Sequence, residues 1–355
     1  MLLSIHQVNK RILRLRKGFC YFSSDFKRIG VVGLGLMGHG VAQVTAQAGY
    51  QVLAIETSQA AVDAGMKRIE GSLGKVISRD VSKGKYSEAD GKKAYEEIMA
   101  RITPTTKLTD AKDCDLIIEA IAENMDLKLQ FYKNLGPIIN NECTFASNTS
   151  SLQITAMAVA SGRPDKFIGL HFFNPVQIMK LLEVIKTEHT SPAVFDKVVS
   201  FGKKIGKTTV SCGDTPGFIV NRLLVPYLAQ AMLMVDRRVA SVPDIDVSMQ
   251  LGAGHPMVTD NQAIPIYYIA IHRVFSNFCN DTSFFLSQGP LHLADYIGLD
   301  TCLSILVGWK KDFPNEPSFM IPACLEKLVK AGNIGRKSGS GFYKWDGDKV
   351  GVPIV

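Results

Sequence analysis

The chain alternates short apolar runs with longer stretches in which apolar residues recur every three or four positions. Runs at 29–32, 51–55, 115–118, 144–147, 167–172 and 181–185 have the length of buried strands. A helical pattern at 39–48 separates the first two, and a charged stretch from 63 to 101 reads as a helical excursion. The pattern changes at Pro216. Residues 221–235 repeat apolar positions at helical spacing behind Pro216 and Gly217, and 243–251 and 322–331 read as further helices. Strands alternating with helices, then helices alone, predict a doubly wound α/β domain at 26–213 and a smaller all-helical domain at 214–355.

Composition adds little until charge is located. A hydrophobic content of 46% and a charged content of 21% are those of a globular protein, and no run reaches the length of a membrane span. The net charge of +7 would suggest an anionic partner, but residues 1–24 hold Lys10, Arg11, Arg14, Arg16 and Lys17 and no acid. Without those five the remainder carries +2, so nucleic-acid binding has no support. The opening, Arg-rich and acid-free over 1–24 and dotted with Leu and Ile, reads as a mitochondrial targeting segment over 1–25, with a disordered or wrongly assigned terminus as the plainer alternative. None of the seven cysteines forms a C-x-x-C pair or sits at metal-ligand spacing from a histidine. No metal site is expected, and the cysteines read as reduced, mostly buried thiols.

The first strand ends in Gly33-Leu34-Gly35-Leu36-Met37-Gly38, and the second ends at Glu56. A lone G-x-G-x-x-G is weak evidence, but strand, turn, helix, strand and acid in that order make it strong. Gly33 permits the tight turn, Gly35 lets the backbone approach a pyrophosphate, and Gly38 lets the helix pack on the strand. The helix N-terminus then faces the phosphates. Glu56 can accept hydrogen bonds from the adenosine ribose. Its charge repels a 2′-phosphate, and Thr57 and Ser58 offer no arginine to receive one. A Rossmann-type sheet binding NAD rather than NADP is therefore expected. The basic residues Lys67, Arg68, Lys75, Arg79, Lys83 and Lys85 read either as a solvated helix face or as an edge that meets a phosphorylated substrate.

The stretch from Phe145 to Asn221 bears on the reaction. It supplies Ser150, His171, Glu183 and Asn221. Oxidation of an alcohol by NAD sends a hydride to the nicotinamide and a proton to a base, and histidine titrates in the right range. A carboxylate on the far ring nitrogen fixes the tautomer and stabilises the imidazolium. His171 and Glu183 fall on successive apolar runs, so adjacent strands or a hairpin would bring them together. Taken alone, a strand histidine is more often structural than catalytic.

The ordered segments GLGLMGHGVAQ, EAIAEN, FASNTSSLQIT, GLHFFNP, MKLLEVIKT, DTPGFIVNRLLVPYL and GRKSGSGFYKW resemble the L-3-hydroxyacyl-CoA dehydrogenases of mitochondrial fatty-acid β-oxidation. The resemblance runs from about Phe26 to Met257 and from Gly289 to Trp345. It implies oxidation of an L-3-hydroxyacyl-CoA to the 3-oxoacyl-CoA in the mitochondrial matrix, with His171 as base and Glu183 orienting it. It implies that Ser150 and Asn221 meet the substrate oxygens, that Ser150 also lies against the cofactor, and that Asn174 meets the nicotinamide end. Glu123, Lys128 and Lys337 are implied as cofactor contacts, and Ser72 and Arg79 as coenzyme A contacts. Arg79 departs from the family's usual lysine and Glu56 from its usual aspartate. The helical domain of the family closes the substrate cleft and forms a homodimer. A dehydrogenase of a free hydroxy acid and a non-catalytic NAD-binding or structural relative remain the alternatives.

One segment breaks the family pattern. LGAGHPM ends at Met257 and GPLHLADYIGLD begins at Gly289, and the 31 residues at 258–288 between them carry six aromatics and neither Lys nor Glu. Excising them restores the pattern. Valine codons begin GT and a glutamine codon can be CAG, so V…SFFLSQ reads as a translated intron. A lineage-specific loop is the other reading, and loops of that length are uncommon in compact domains.

Overall fold

The structure is a computed structural model and describes residues 26–253 and 289–354. The expected targeting segment and the insert at 258–288 lie outside the described residues. The chain divides into two compact units. One runs to Thr149 and resumes over Ile154–Asp214; the other comprises Ser150–Gln153 and the residues from Thr215 on.

The first unit is built on eight strands: β1 (Arg28–Val32), β2 (Gln51–Ile55), β3 (Ile102–Thr105), β4 (Leu116–Glu119), β5 (Thr144–Ser147), β6 (Phe167–Phe172), β7 (Leu181–Lys186) and β8 (Thr208–Gly213). They lie in the order β3-β2-β1-β4-β5-β6-β7-β8. All neighbours are parallel except β6 and β7. Every residue of β4, β5 and β6 is buried, which is why these strands read as continuous apolar runs rather than alternating ones. Chain direction across the sheet reverses between β1 and β4, and α/β sheets take ligands in the crevice at such a switch point.

Helices α1 (Gly38–Gln47), α2 (Gln59–Ser82), α3 (Glu88–Ala100), α4 (Met125–Leu135), α5 (Ile154–Ala160) and α6 (Pro192–Lys204) complete this unit. The charged excursion is helical, as expected, and consists of two helices. Gly84 takes φ +71°, and Ser87 starts the second helix by accepting the Asp90 N–H, as Ser58 starts the first through Ala61. Tyr132 of α4 packs edge-on against Phe167 of β6, centroids 4.7 Å apart, both fully buried.

The second unit carries α7 (Val220–Asp236), α8 (Val242–Gly252), α9 (Pro290–Ile297), α10 (Leu299–Asp312) and α11 (Ala323–Lys330). Their apolar faces meet around Met232, Leu291, Leu325, Phe319 and Phe342. A hairpin of β9 (Tyr343–Asp346) and β10 (Lys349–Pro353) is added to the expected helices. Two buried carboxylates hold it. Asp295 accepts the Phe342 and Tyr343 N–H groups and the Trp345 indole, and Asp246 accepts the Tyr343 hydroxyl and the Leu291 and His292 N–H groups. No single helix among the described residues is long and apolar enough to cross a membrane.

Candidate active site

The Gly-rich turn leaves β1 at Gly33, whose φ of +90° suits glycine. A Cβ on Gly33 would lie 2.7 Å from the Ala120 carbonyl, and one on Gly38 would lie 1.7 Å from the Gly33 carbonyl. Both glycines therefore serve the fold of the turn itself. Gly35 differs: a Cβ there would meet nothing within 4 Å, so the turn is open on that side. No side chain caps α1, which leaves its first amides for a ligand. Leu36 is exposed, Leu34 is buried and Met37 is half-buried.

Glu56 Oε1 accepts the Leu34 N–H at 2.6 Å and Oε2 accepts the Thr57 N–H at 3.1 Å, so the acid at the end of β2 braces the turn. A carboxylate has about four acceptor positions, and lone pairs remain for ribose hydroxyls. The open side at Gly35, the uncapped helix and the acid fit a dinucleotide.

His171 and Glu183 are register partners across the antiparallel pair β6–β7. His171 Nδ1 and Glu183 Oε2 stand 2.7 Å apart, with the carboxylate fully buried. An ionised carboxylate only accepts, so Nδ1 carries the proton and Nε2 is the basic nitrogen. The side chain of Asn148 accepts the Phe172 N–H at 3.0 Å, tying the end of β5 to the residue after the histidine. Asn148 was not among the expected site residues; it stands inside FASNTSSL, two positions before Ser150.

In the second unit the Asn221 amide donates to the Ser150 carbonyl at 3.1 Å, so these two expected residues are joined. Asn174 is exposed just beyond β6, in the turn that leads to β7. Lys207 Nζ closes that turn by donating to the Val176 carbonyl and, at 2.7 Å, to the Met179 carbonyl, while Gln177 donates to Gln43 of α1 at 3.0 Å. Burial pulls the Lys207 ammonium down to about 8. Lys207 too was missed, because no motif marks a lysine that works through backbone carbonyls. Ser72 is half-buried and Arg79 exposed, seven residues apart on α2 and so on one face.

The remaining expected cofactor contacts differ in placement. Glu123 is exposed beyond β4, with a carboxylate oxygen accepting the Thr149 hydroxyl at 2.7 Å. Lys128 is fully buried, 2.6 Å from Glu119 and 3.4 Å from Glu123. It lies beneath the surface that Glu123 presents. Lys337 belongs to the second unit, where its ammonium meets Asp300 at 3.0 Å and Thr301 at 3.1 Å at the start of α10.

A switch-point turn shaped for pyrophosphate, on the same sheet as a histidine aligned by a buried acid, places the molecule among the NAD-dependent dehydrogenases. Comparison with known proteins narrows the class. The profile described as "3-hydroxyacyl-CoA dehydrogenase, NAD binding domain" matches residues 28–215, and that of the C-terminal domain of the same family matches 217–259 and 282–345. The chain belongs to the 3-hydroxyacyl-CoA dehydrogenase family and is an NAD-dependent oxidoreductase of that kind. It is 42% identical over 322 residues to the human "Hydroxyacyl-coenzyme A dehydrogenase, mitochondrial", covering 90% of this chain and 91% of that one. It is 43% identical over 318 residues to a "Probable 3-hydroxybutyryl-CoA dehydrogenase" of Deinococcus radiodurans, covering 90% of this chain and all of the relative. Among solved structures, the (S)-3-hydroxybutyryl-CoA dehydrogenase of Ralstonia eutropha superposes with a TM-score of 0.77 at 35% identity, over 91% of this chain and all of that one.

Proposed function

We propose that the chain oxidises L-3-hydroxyacyl-CoA to 3-oxoacyl-CoA in fatty-acid β-oxidation, with His171 as the base. The 2.7 Å contact of His171 with Glu183 carries this reading. Nε2 of His171 takes the hydroxyl proton, and Glu183 stabilises the imidazolium that forms. NAD, when bound, supplies the acceptor for the hydride. Ser150 and Asn221 hold the substrate oxygens, Ser150 and Asn174 meet the cofactor, and Ser72 and Arg79 meet the phosphates of coenzyme A.

We further place the protein in the mitochondrial matrix as a homodimer. The acid-free, Arg-rich N-terminal segment supports the location, as do relatives named as mitochondrial. We propose domains at 26–213 and 214–355, with 258–288 foreign to the second. The family profile passes over 260–281 but matches 258–259 and 282–288, which supports a foreign segment inside those bounds.

The test is steady-state reduction of acetoacetyl-CoA and of free acetoacetate by NADH, with the full chain and with a version lacking 258–288. Preference for the thioester supports the proposed substrate. Preference for the free acid overturns it. A mature transcript that keeps the codons for 258–288 would sink the intron reading.

A further inference from the structure

Glu119 has no assigned role, yet its carboxylate meets four polar groups. It ends β4 with no exposed surface. Oε1 accepts from Lys128 Nζ at 2.6 Å and from the Ile121 N–H at 2.8 Å, and Oε2 accepts from the Ser147 hydroxyl at 2.7 Å and shares the Tyr132 hydroxyl, at 3.2 Å, with the Ala146 carbonyl. Strand β5, helix α4 and the loop after β4 are all tied to one carboxylate. Lys128 is buried as well, and its second carboxylate is that of Glu123, at 3.4 Å. A chain of contacts thus runs from the core outward, Ser147, Glu119, Lys128, Glu123, and the buried Thr149 hydroxyl donates to the last carboxylate.

Two parts of the cofactor site rest on this chain. The Ala120–Ile121 backbone, pinned by Glu119, is the wall against which Gly33 turns: a Cβ on Gly33 would strike Ala120 O at 2.7 Å and Ile121 N at 3.2 Å. Glu123 is the chain's exposed end, with 37% of its side chain accessible. Buried ions persist only when paired, and a lysine between two carboxylates is shared between them. Glu119 holds the lysine in the core at short range. Glu123 takes the longer contact and keeps an oriented carboxylate at the surface.

We propose that Glu119 is a positioning residue for the NAD site. Touching no ligand, it acts through Lys128 to orient the Glu123 carboxylate and through Ile121 to set the wall of the Gly-rich turn. The proposal rests on the reading that Glu123 contacts NAD. Without the Glu119 charge, Lys128 moves fully onto Glu123 and withdraws that carboxylate from the cofactor. The effect falls on cofactor affinity, not on proton transfer at His171.

The experiment is NADH binding by fluorescence titration, together with kcat and the KM for acetoacetyl-CoA, on the full chain carrying Glu119→Gln, Lys128→Met, both together, or Glu123→Gln. Loss of one charge-assisted hydrogen bond corresponds to about a tenfold rise in Kd. Glu119→Gln and Lys128→Met are each expected to raise the Kd for NADH by about that factor, with the KM for acetoacetyl-CoA changing far less. The double variant is expected to match Lys128→Met alone, because both substitutions break the same chain. It also leaves no orphaned ion in the core, so it serves if Glu119→Gln does not fold. Wild-type affinity in Glu119→Gln or in the double variant overturns the proposal, as does multiplication of the two single effects. Wild-type affinity in Glu123→Gln overturns the reading beneath it instead.

Discussion

His171 and Glu183 face each other in register across the one antiparallel pair of the sheet, Nδ1 to Oε2 at 2.7 Å. Because the pairing is strand to strand, the geometry is set by backbone hydrogen bonds rather than by loose side chains. Replacing His171 with Ala is expected to lower kcat by about 10²–10⁴-fold, the usual worth of a general base. Glu183→Gln keeps the shape but misplaces the proton, and a loss of about 10²-fold or more is expected. Steady-state kinetics measure both. NADH titration should show affinity near that of the wild type, and a large loss of affinity would mean that the pair serves structure.

The three glycines of the turn differ in what they do, and alanine separates them. Gly38→Ala drives a methyl into the Gly33 carbonyl and should lower the melting temperature. Gly35→Ala meets no protein atom within 4 Å and should leave melting unchanged. Its methyl occupies the open side, so the Kd for NADH should rise more than tenfold, about 1.4 kcal/mol. Equal melting and equal affinity in Gly35→Ala would place the pyrophosphate elsewhere.

Arg79 is exposed on the face of α2 that also carries Ser72. Arg79→Glu is expected to raise the KM for acetoacetyl-CoA about tenfold and to leave the Kd for NADH unchanged. The defect should shrink as ionic strength rises, because exposed charges are screened. A KM that does not respond to the reversal would assign α2 to solvent alone.

The second unit carries a half-buried histidine. His292 lies against Trp345 and Tyr343, with centroids 5.0 and 5.8 Å away, and burial pulls its imidazole from 6.5 to about 4. The unfolded imidazole takes its proton near 6.5 and the folded one only near 4. His292 therefore contributes stability that is full above about 6.5 and lost as pH falls towards 4. Asp295 acts in the opposite sense. Burial raises its carboxyl from 3.8 to about 6, so its share of stability is full below about 3.8 and is lost as pH rises through about 6. Urea unfolding of His292→Phe should therefore show less acid destabilisation between pH 6.5 and 4 than the wild type. Parallel profiles would remove His292 as the cause.

Much of the fold is legible in the chain because buried parallel strands and amphipathic helices write their periods directly. The runs at 144–147 and 167–172 coincide with β5 and β6, and the runs at 115–118 and 181–185 fall within a residue of β4 and β7. Boundaries set by single residues were less legible, as at Gly84, where one glycine divides the excursion into α2 and α3. The β9–β10 hairpin left no readable period because it is short and held by the distant Asp295 rather than by its own pattern.

By itself the sequence determined the local chemistry: a glycine turn, an acid at the end of the second strand, and a histidine and a glutamate on successive runs. Those follow from residue type and spacing, which act within a few positions. The tertiary structure alone decided which distant groups share a partner. The register of β6 and β7 set the His171–Glu183 bond, and the adjacency of β4, β5 and α4 put Lys128 between Glu119 and Glu123. Contacts between residues far apart in the chain depend on how the sheet is ordered, and no local period encodes that order.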